Sequence, residues 1–230
     1  MNNNEKIIDD IIDYMINNKK KFLFISGNGG SGKTELSKKI AEKASKIGKV
    51  NTIDMDDFVV DTQLRKNSKV SWVDADGNEQ LGRCSTSFIS AYFLQNVYAI
   101  MANIENGNDY YHWPKKGKSF EDCRLLKSDA VFTIVEGIGT VFLDKNPNNS
   151  LSIFMTCSED VEIKRRLQRK RFSNEQNIDD IKRDYVVRNS QFICNILPHL
   201  DEHELYFESK EDYSLVVKVD KLCIIKNINS

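Results

Sequence analysis

Gly27-Asn28-Gly29-Gly30-Ser31-Gly32-Lys33-Thr34 is a full match to G-x-x-x-x-G-K-[ST], a spacing whose chemistry is phosphate binding. Glycines let the chain curl until successive backbone N–H groups point at one anion, and a following helix adds its positive end. Lys33 is placed to reach the outer phosphates of a nucleotide, and the Thr34 hydroxyl to ligate Mg²⁺. All eight residues are therefore candidates for nucleotide binding: Gly27, Asn28, Gly29, Gly30, Ser31, Gly32, Lys33 and Thr34.

Three further groups bear on what happens to the nucleotide. Asp54-Met55-Asp56-Asp57-Phe58 offers a carboxylate to take a proton from an attacking hydroxyl. Phosphoryl transfer asks a protein mainly for positioning and charge neutralisation, so an ordinary Asp beside the hydroxyl suffices. Asp56 is the candidate base, with Asp57 beside it and Asp54 as a metal helper. Glu136 closes an apolar run, where a carboxylate can hold Mg²⁺ through water. Arg165, Arg166, Arg169 and Arg171 crowd one short segment, and a helix puts Arg166 and Arg169 on one face. Two guanidiniums closing over ATP would neutralise charge in flight and exclude water. The chain has neither an Asn-Lys-x-Asp base-reading motif nor an Asp before Glu136, which weakens a switch or motor reading.

The elements that must position these groups follow from periodicity. Residues 22–26 form a buried strand ahead of the loop, and Leu36, Ile40, Ala44 and Ile47 recur at helical spacing after it. An amphipathic helix precedes the first strand, with Ile7, Ile8, Ile11, Ile12, Met15 and Ile16 on its apolar face. Residues 50–54, 130–135 and 151–156 are further strands. Residues 61–87 have turn signals and the character of an irregular insertion. A helix spans 88–105, with Phe93, Val97, Met101 and Ile104 on one face, and charged helical sequence runs from 160 to 192. Residues 215–219 and 222–225 supply late strands, paired across Asp220-Lys221. Strands alternating with helices imply a mainly parallel sheet covered on both faces. The phosphate loop, Asp56 and Glu136 then fall at strand carboxyl ends, where such sheets bind ligands.

A chain of 230 residues is most simply one domain, 1–230, with a lid at about 158–192 and a substrate-binding insertion at about 61–115. Its formal net charge of −1 gives no reason to expect nucleic acid or an anionic membrane as partner. Five cysteines with no C-x-x-C pair imply neither a disulfide framework nor a zinc knuckle. The first residues lack the features of a secretory signal and no apolar run is long enough to span a bilayer, so a cytoplasmic location is expected. Oligomeric state is not legible.

In this order the pieces resemble the uridine kinase family of P-loop kinases and its relatives, including nicotinamide riboside kinases, over most of residues 20–220. Besides the phosphate loop, Met55-Asp56-Asp57-Phe58 is similar to the family's Asp-x-Phe segment, whose first Asp acts as base. Ile134-Val135-Glu136-Gly137 is similar to its apolar-Glu-Gly strand end, and Arg166-Leu167-Gln168-Arg169-Lys170 resembles its lid pattern Arg-Leu-x-Arg-Arg. The resemblance implies a three-layer α/β/α sandwich on a five-stranded parallel sheet, with a mobile lid. It gives Asp56, Lys33, Arg166 and Arg169 catalytic roles, with Thr34 and Glu136 holding the metal. Asp57, Tyr110 and His112 become candidate substrate contacts. The family often carries a Tyr-Asp pair before its third strand; here Asp109-Tyr110-Tyr111-His112-Trp113 keeps the first Tyr but has Tyr111 for the Asp. The implied activity is an ATP- and Mg²⁺-dependent phosphotransfer to a hydroxyl of a nucleoside or other riboside. A nucleotide hydrolase and a non-catalytic nucleotide-binding module are the alternatives.

Overall fold

In the computed structural model, which describes residues 3–168 and 178–226, the elements run in the expected alternation. They are α1 (Asn3–Asn17), β1 (Phe22–Gly27), α2 (Lys33–Ala44), β2 (Val50–Asp54), α3 (Thr62–Asn67), β3 (Lys69–Val73), β4 (Glu79–Arg83) and α4 (Leu94–Glu105). They continue with β5 (Tyr110–His112), β6 (Arg124–Leu126), β7 (Phe132–Glu136), β8 (Ser150–Thr156), α5 (Glu159–Gln168), α6 (Ile178–Asn195), β9 (Leu205–Ser209) and β10 (Leu215–Asp220).

The central sheet has the order β10-β9-β8-β1-β7-β2. Five of its strands are parallel, as expected, and β10 adds an antiparallel sixth at the edge. Every residue of β1 and β7 is buried, which a parallel sheet covered on both faces requires. On one face, Ile7, Ile8, Ile11 and Ile12 of α1 pack with Leu36 and Ile40 of α2 against Leu23, Ile25, Ile134 and Ile153. On the other, Val97, Ile100, Met101 and Ile104 of α4 pack against Phe22, Phe24 and Val135. Phe192 of α6 and Ile196 just beyond its end reach Phe154 at the far end of that face.

The expectations fail where short-range chemistry outweighs hydrophobic periodicity. The fifth parallel strand is β9, and its hairpin partner β10 follows a turn at 210–214 in which Tyr213 takes a positive φ of 64°. Residues 222–225 are not a strand. The Asp220 carboxylate accepts the N–H groups of Ile224 (3.0 Å) and Ile225 (2.8 Å), and these bonds replace a ladder. Residues 61–87 are not irregular either: α3 and the β3–β4 hairpin occupy them, and Asp74 closes the turn by accepting from Asp76 and Asn78. The helix expected from 88 begins at Leu94, because Phe93 N donates to Phe58 O (2.9 Å), leaving Phe93 56% exposed. Likewise α2 stops at Ala44, and Ile47 lies beyond it, 61% exposed. No helix among the described residues is long and apolar enough to cross a membrane.

Candidate active site

The loop between β1 and α2 wraps around its own carbonyls. Gly32 caps α2 with φ 90°, a left-handed conformation costly for a side chain bearing Cβ. At Gly29 the need is space: a Cβ would lie 2.5 Å from an Arg166 nitrogen and 2.6 Å from Glu162 Oε1. The Asn28 side chain stitches the loop to its neighbours. Its Oδ1 accepts from Cys157 N (3.1 Å), and its Nδ2 donates to Glu162 Oε2 (2.7 Å). Lys33 Nζ folds back onto Gly27 O (3.0 Å) and Asn28 O (2.7 Å).

A cleft of about 1020 Å³ opens over this loop at the carboxyl ends of β1, β2 and β7. Lys33, Thr34, Asp54, Asp56 and Glu136 all line it. Thr34 Oγ1 donates to Glu136 Oε1 (2.9 Å), so the two candidate metal ligands touch. Asp54 Oδ1 accepts from Asp56 N (2.8 Å), which fixes the start of the short 3₁₀ turn Met55–Phe58 and leaves the Asp56 carboxylate exposed to the cleft. Burial first, and then the charges of Asp54 and Asp56, raise the Glu136 pKa against the opposing pull of Lys33 and the Thr34 hydroxyl. Burial also raises the pKa of Asp54, whose own N–H bond from Asp56 works the other way.

These residues fit a hard divalent cation. Among the described residues no group of three or more His, Cys, Asp and Glu is arranged to hold one. Mg²⁺, however, is commonly bound by one or two side chains completed by substrate phosphates and water. A hydroxyl and a carboxylate in contact, beside a second carboxylate whose charge burial disfavours, form a donor set of that kind.

Not every expected residue comes to the cleft. Asp57 turns aside: its Oδ2 lies 3.1 Å from His112 Nε2 and its Oδ1 accepts from Lys115 N (3.1 Å). The His112 ring is buried and stacked on Phe58, with centroids 5.1 Å apart. Tyr110 packs against the α4 side of the core. The Asp57–His112 pair therefore braces β5 against the Met55–Phe58 turn. Arg166 does come to the loop, held by Glu162 Oε1 through its Nε (2.8 Å). Arg169 lies outside the described residues.

Glu162 is a contributor that sequence inspection passed over, and Arg165, noted there only as one of four crowded arginines, takes a role of its own. Glu162 is buried, and the i,i+4 spacing to Arg166 was a legible sign of the pair. Arg165, also buried, donates to Gly30 O (2.6 Å) and Ser209 Oγ (3.1 Å), and bonds Lys210 O. Its guanidinium stacks 3.8 Å from the ring centroid of Tyr213, which lines the cleft. No local pattern announces a contact between residues so far apart in the chain.

A parallel α/β/α sandwich whose first strand feeds a phosphate loop, with acidic groups at the next two strand ends, defines a P-loop kinase. The chain belongs to the phosphoribulokinase/uridine kinase family, whose description its sequence matches over residues 22–215. Among solved structures it is similar to D-glycerate 3-kinase from Cryptococcus neoformans var. grubii, with TM-score 0.60 and 10% identity over 93% of this chain and 97% of that one. The YGR205w protein is similar at TM-score 0.59 and 14% identity, over 94% and 96% of the two chains. Phosphoribulokinase from Rhodobacter spheroides gives TM-score 0.55 and 15% identity, over 83% and 70%. At these identities the likeness is one of fold. No curated protein matches the sequence.

Proposed function

We propose that this protein transfers the γ-phosphoryl group of ATP to a hydroxyl of a small metabolite, with Mg²⁺ required. The observation that carries this reading is that Asp56, Lys33, Thr34 and Glu136 line one cleft at the carboxyl edge of the sheet. Asp56 takes the proton of the acceptor hydroxyl as its oxygen bonds to phosphorus and the bond to the β-phosphate oxygen breaks, releasing ADP. Lys33 moves from the loop carbonyls to the transferring phosphate, and Arg166 adds positive charge from the α5 side. Thr34 and Glu136 would hold Mg²⁺, which when bound would neutralise phosphate charge and orient the phosphates.

The riboside acceptor that the sequence suggests gains no support from Asp57 and His112, which bond each other instead of lining the cleft. Proteins of this fold are named for acceptors as different as those of phosphoribulokinase and D-glycerate 3-kinase, which supports no acceptor narrower than a hydroxylated metabolite.

Asp56→Asn tests the base. Turnover should fall about 10²–10⁴-fold, the range expected for losing a general base, while ATP affinity stays within about twofold. Calorimetric ATP binding alongside steady-state rates makes the comparison. A variant with wild-type turnover would overturn the role of Asp56, and ATP consumption independent of any acceptor would favour a hydrolase.

A further inference from the structure

Beside the main cleft lies a second recess of about 30 Å³, whose polar lining includes Ser85, Thr86, Ser87, Glu162, Arg166 and Arg188. The two adjoin, because Gly29 and Ile138 line both. Its volume suits two or three water-sized groups, the head of a small anion rather than a base or a sugar ring.

The side chains around it are strongly cationic. Arg188 Nε lies 2.7 Å from Asp184 Oδ2, and Arg83 contacts the other oxygen of the same carboxylate. Arg166 is paired with Glu162. Arg65 is close enough for its charge to act on both Arg83 and Arg188. Among the described residues, the carboxylates paired within this cluster are Asp184 and Glu162, against four guanidiniums. Burial, followed by Arg166, Arg83 and Arg65, lowers the Arg188 pKa to about 10. Crowding of like charges at the edge of a cleft is a cost in the free protein that an arriving anion removes.

The fold builds this cluster deliberately from distant pieces. Trp72 Nε1 donates to Ser190 Oγ (2.9 Å), and Gln191 Nε2 donates to Arg83 O (3.0 Å), docking the β3–β4 hairpin on α6. That docking brings Arg83 to Asp184 and sets the hydroxyl-rich turn at 85–87 over the loop. The Tyr92 hydroxyl donates to Thr86 O (2.9 Å), and the charge of Asp56 reaches that phenol. The recess and the candidate base therefore belong to one neighbourhood.

We propose that the phosphoryl acceptor carries a phosphate or carboxylate group, bound in this recess by Arg188 and the hydroxyls of the 85–87 turn, with Arg83 and Arg65 adding positive charge from outside its lining. The acceptor hydroxyl then faces Asp56. The proposal rests on the kinase reading above and names the chemistry of its second substrate.

Wild-type protein and Arg188→Gln would be assayed for ATP consumption with ribose 5-phosphate against ribose, glycerate against glycerol, and uridine. An anionic member should be preferred over its neutral partner by about 100-fold or more in kcat/KM, and the phosphate and carboxylate arms identify which anion is read. Arg188→Gln should raise the acceptor KM about 10–100-fold, with the KM for ATP within about twofold, as expected for losing one charge-assisted contact. Preference for ribose, glycerol or uridine overturns the proposal and leaves the kinase reading standing. A raised KM for ATP with an unchanged acceptor KM also overturns it, since Arg188 would then serve the nucleotide. If none is turned over, the same compounds are added with a non-hydrolysable ATP analogue and Tm is measured. An additional rise of about 2 °C with the anionic compounds, in wild type but not in Arg188→Gln, supports the recess; its absence overturns it. Failure to bind ATP at all instead sinks the kinase reading.

Discussion

Glu136 pays for its position with a buried carboxylate beside Asp54 and Asp56. Because its folded pKa is raised, the folded state binds more protons than the unfolded chain between the ordinary glutamate value and the raised one. Stability therefore falls as pH rises through that window, and the loss persists at neutral pH. Glu136→Gln keeps an oxygen that can accept from Thr34 and removes the charge. The variant should melt about 2–4 °C above wild type at pH 7, and the gap should close as pH drops below about 4. Its Mg²⁺-dependent turnover should fall at least about 10-fold, the usual trade between stability and activity at a site. A variant less stable than wild type at both pH values would show that Glu136 is well compensated in the free protein.

At the level of elements, α5 is tied to the phosphate loop by side chains rather than by an apolar interface. Arg165 bonds Gly30, Ser209 and Lys210, so one guanidinium ties α5, the loop and the β9–β10 turn together. Arg165→Ala should strand those acceptors and cost about 2–3 kcal/mol, lowering Tm by about 5–10 °C. Arg165→Lys should recover only part of this loss, because an ammonium cannot reach the same spread of acceptors. Thermal melts of both variants check the order. The Glu162–Asn28 bond is a second tie between the same elements, and it sets Arg166 above Gly29.

For the whole molecule, the cleft joins segments separated by most of the chain, from Gly29 to Tyr213. A ligand that bridges them stabilises the folded state by mass action. ATP with Mg²⁺ at about 100 times its Kd should add about 2.7 kcal/mol, or about 5–10 °C in Tm. Lys33→Ala should abolish most of that shift. An equal shift in the variant would mean that the nucleotide binds somewhere other than the phosphate loop.

The parts that could be found in the sequence were those whose physics is local. The phosphate loop was legible because its glycines and its Lys-Thr end are consecutive. β1, β7 and β8 were legible because strands buried on both faces read as nearly continuous apolar runs. Asp56 and Glu136 were legible because a strand's end names the carboxyl edge of the sheet. Tertiary structure alone decided that Asp57 and His112 bond each other, that β9 rather than 222–225 completes the parallel set, and that Arg83 meets Asp184. Those outcomes depend on which distant surfaces bury each other, and charged side chains settle where burial leaves them a partner.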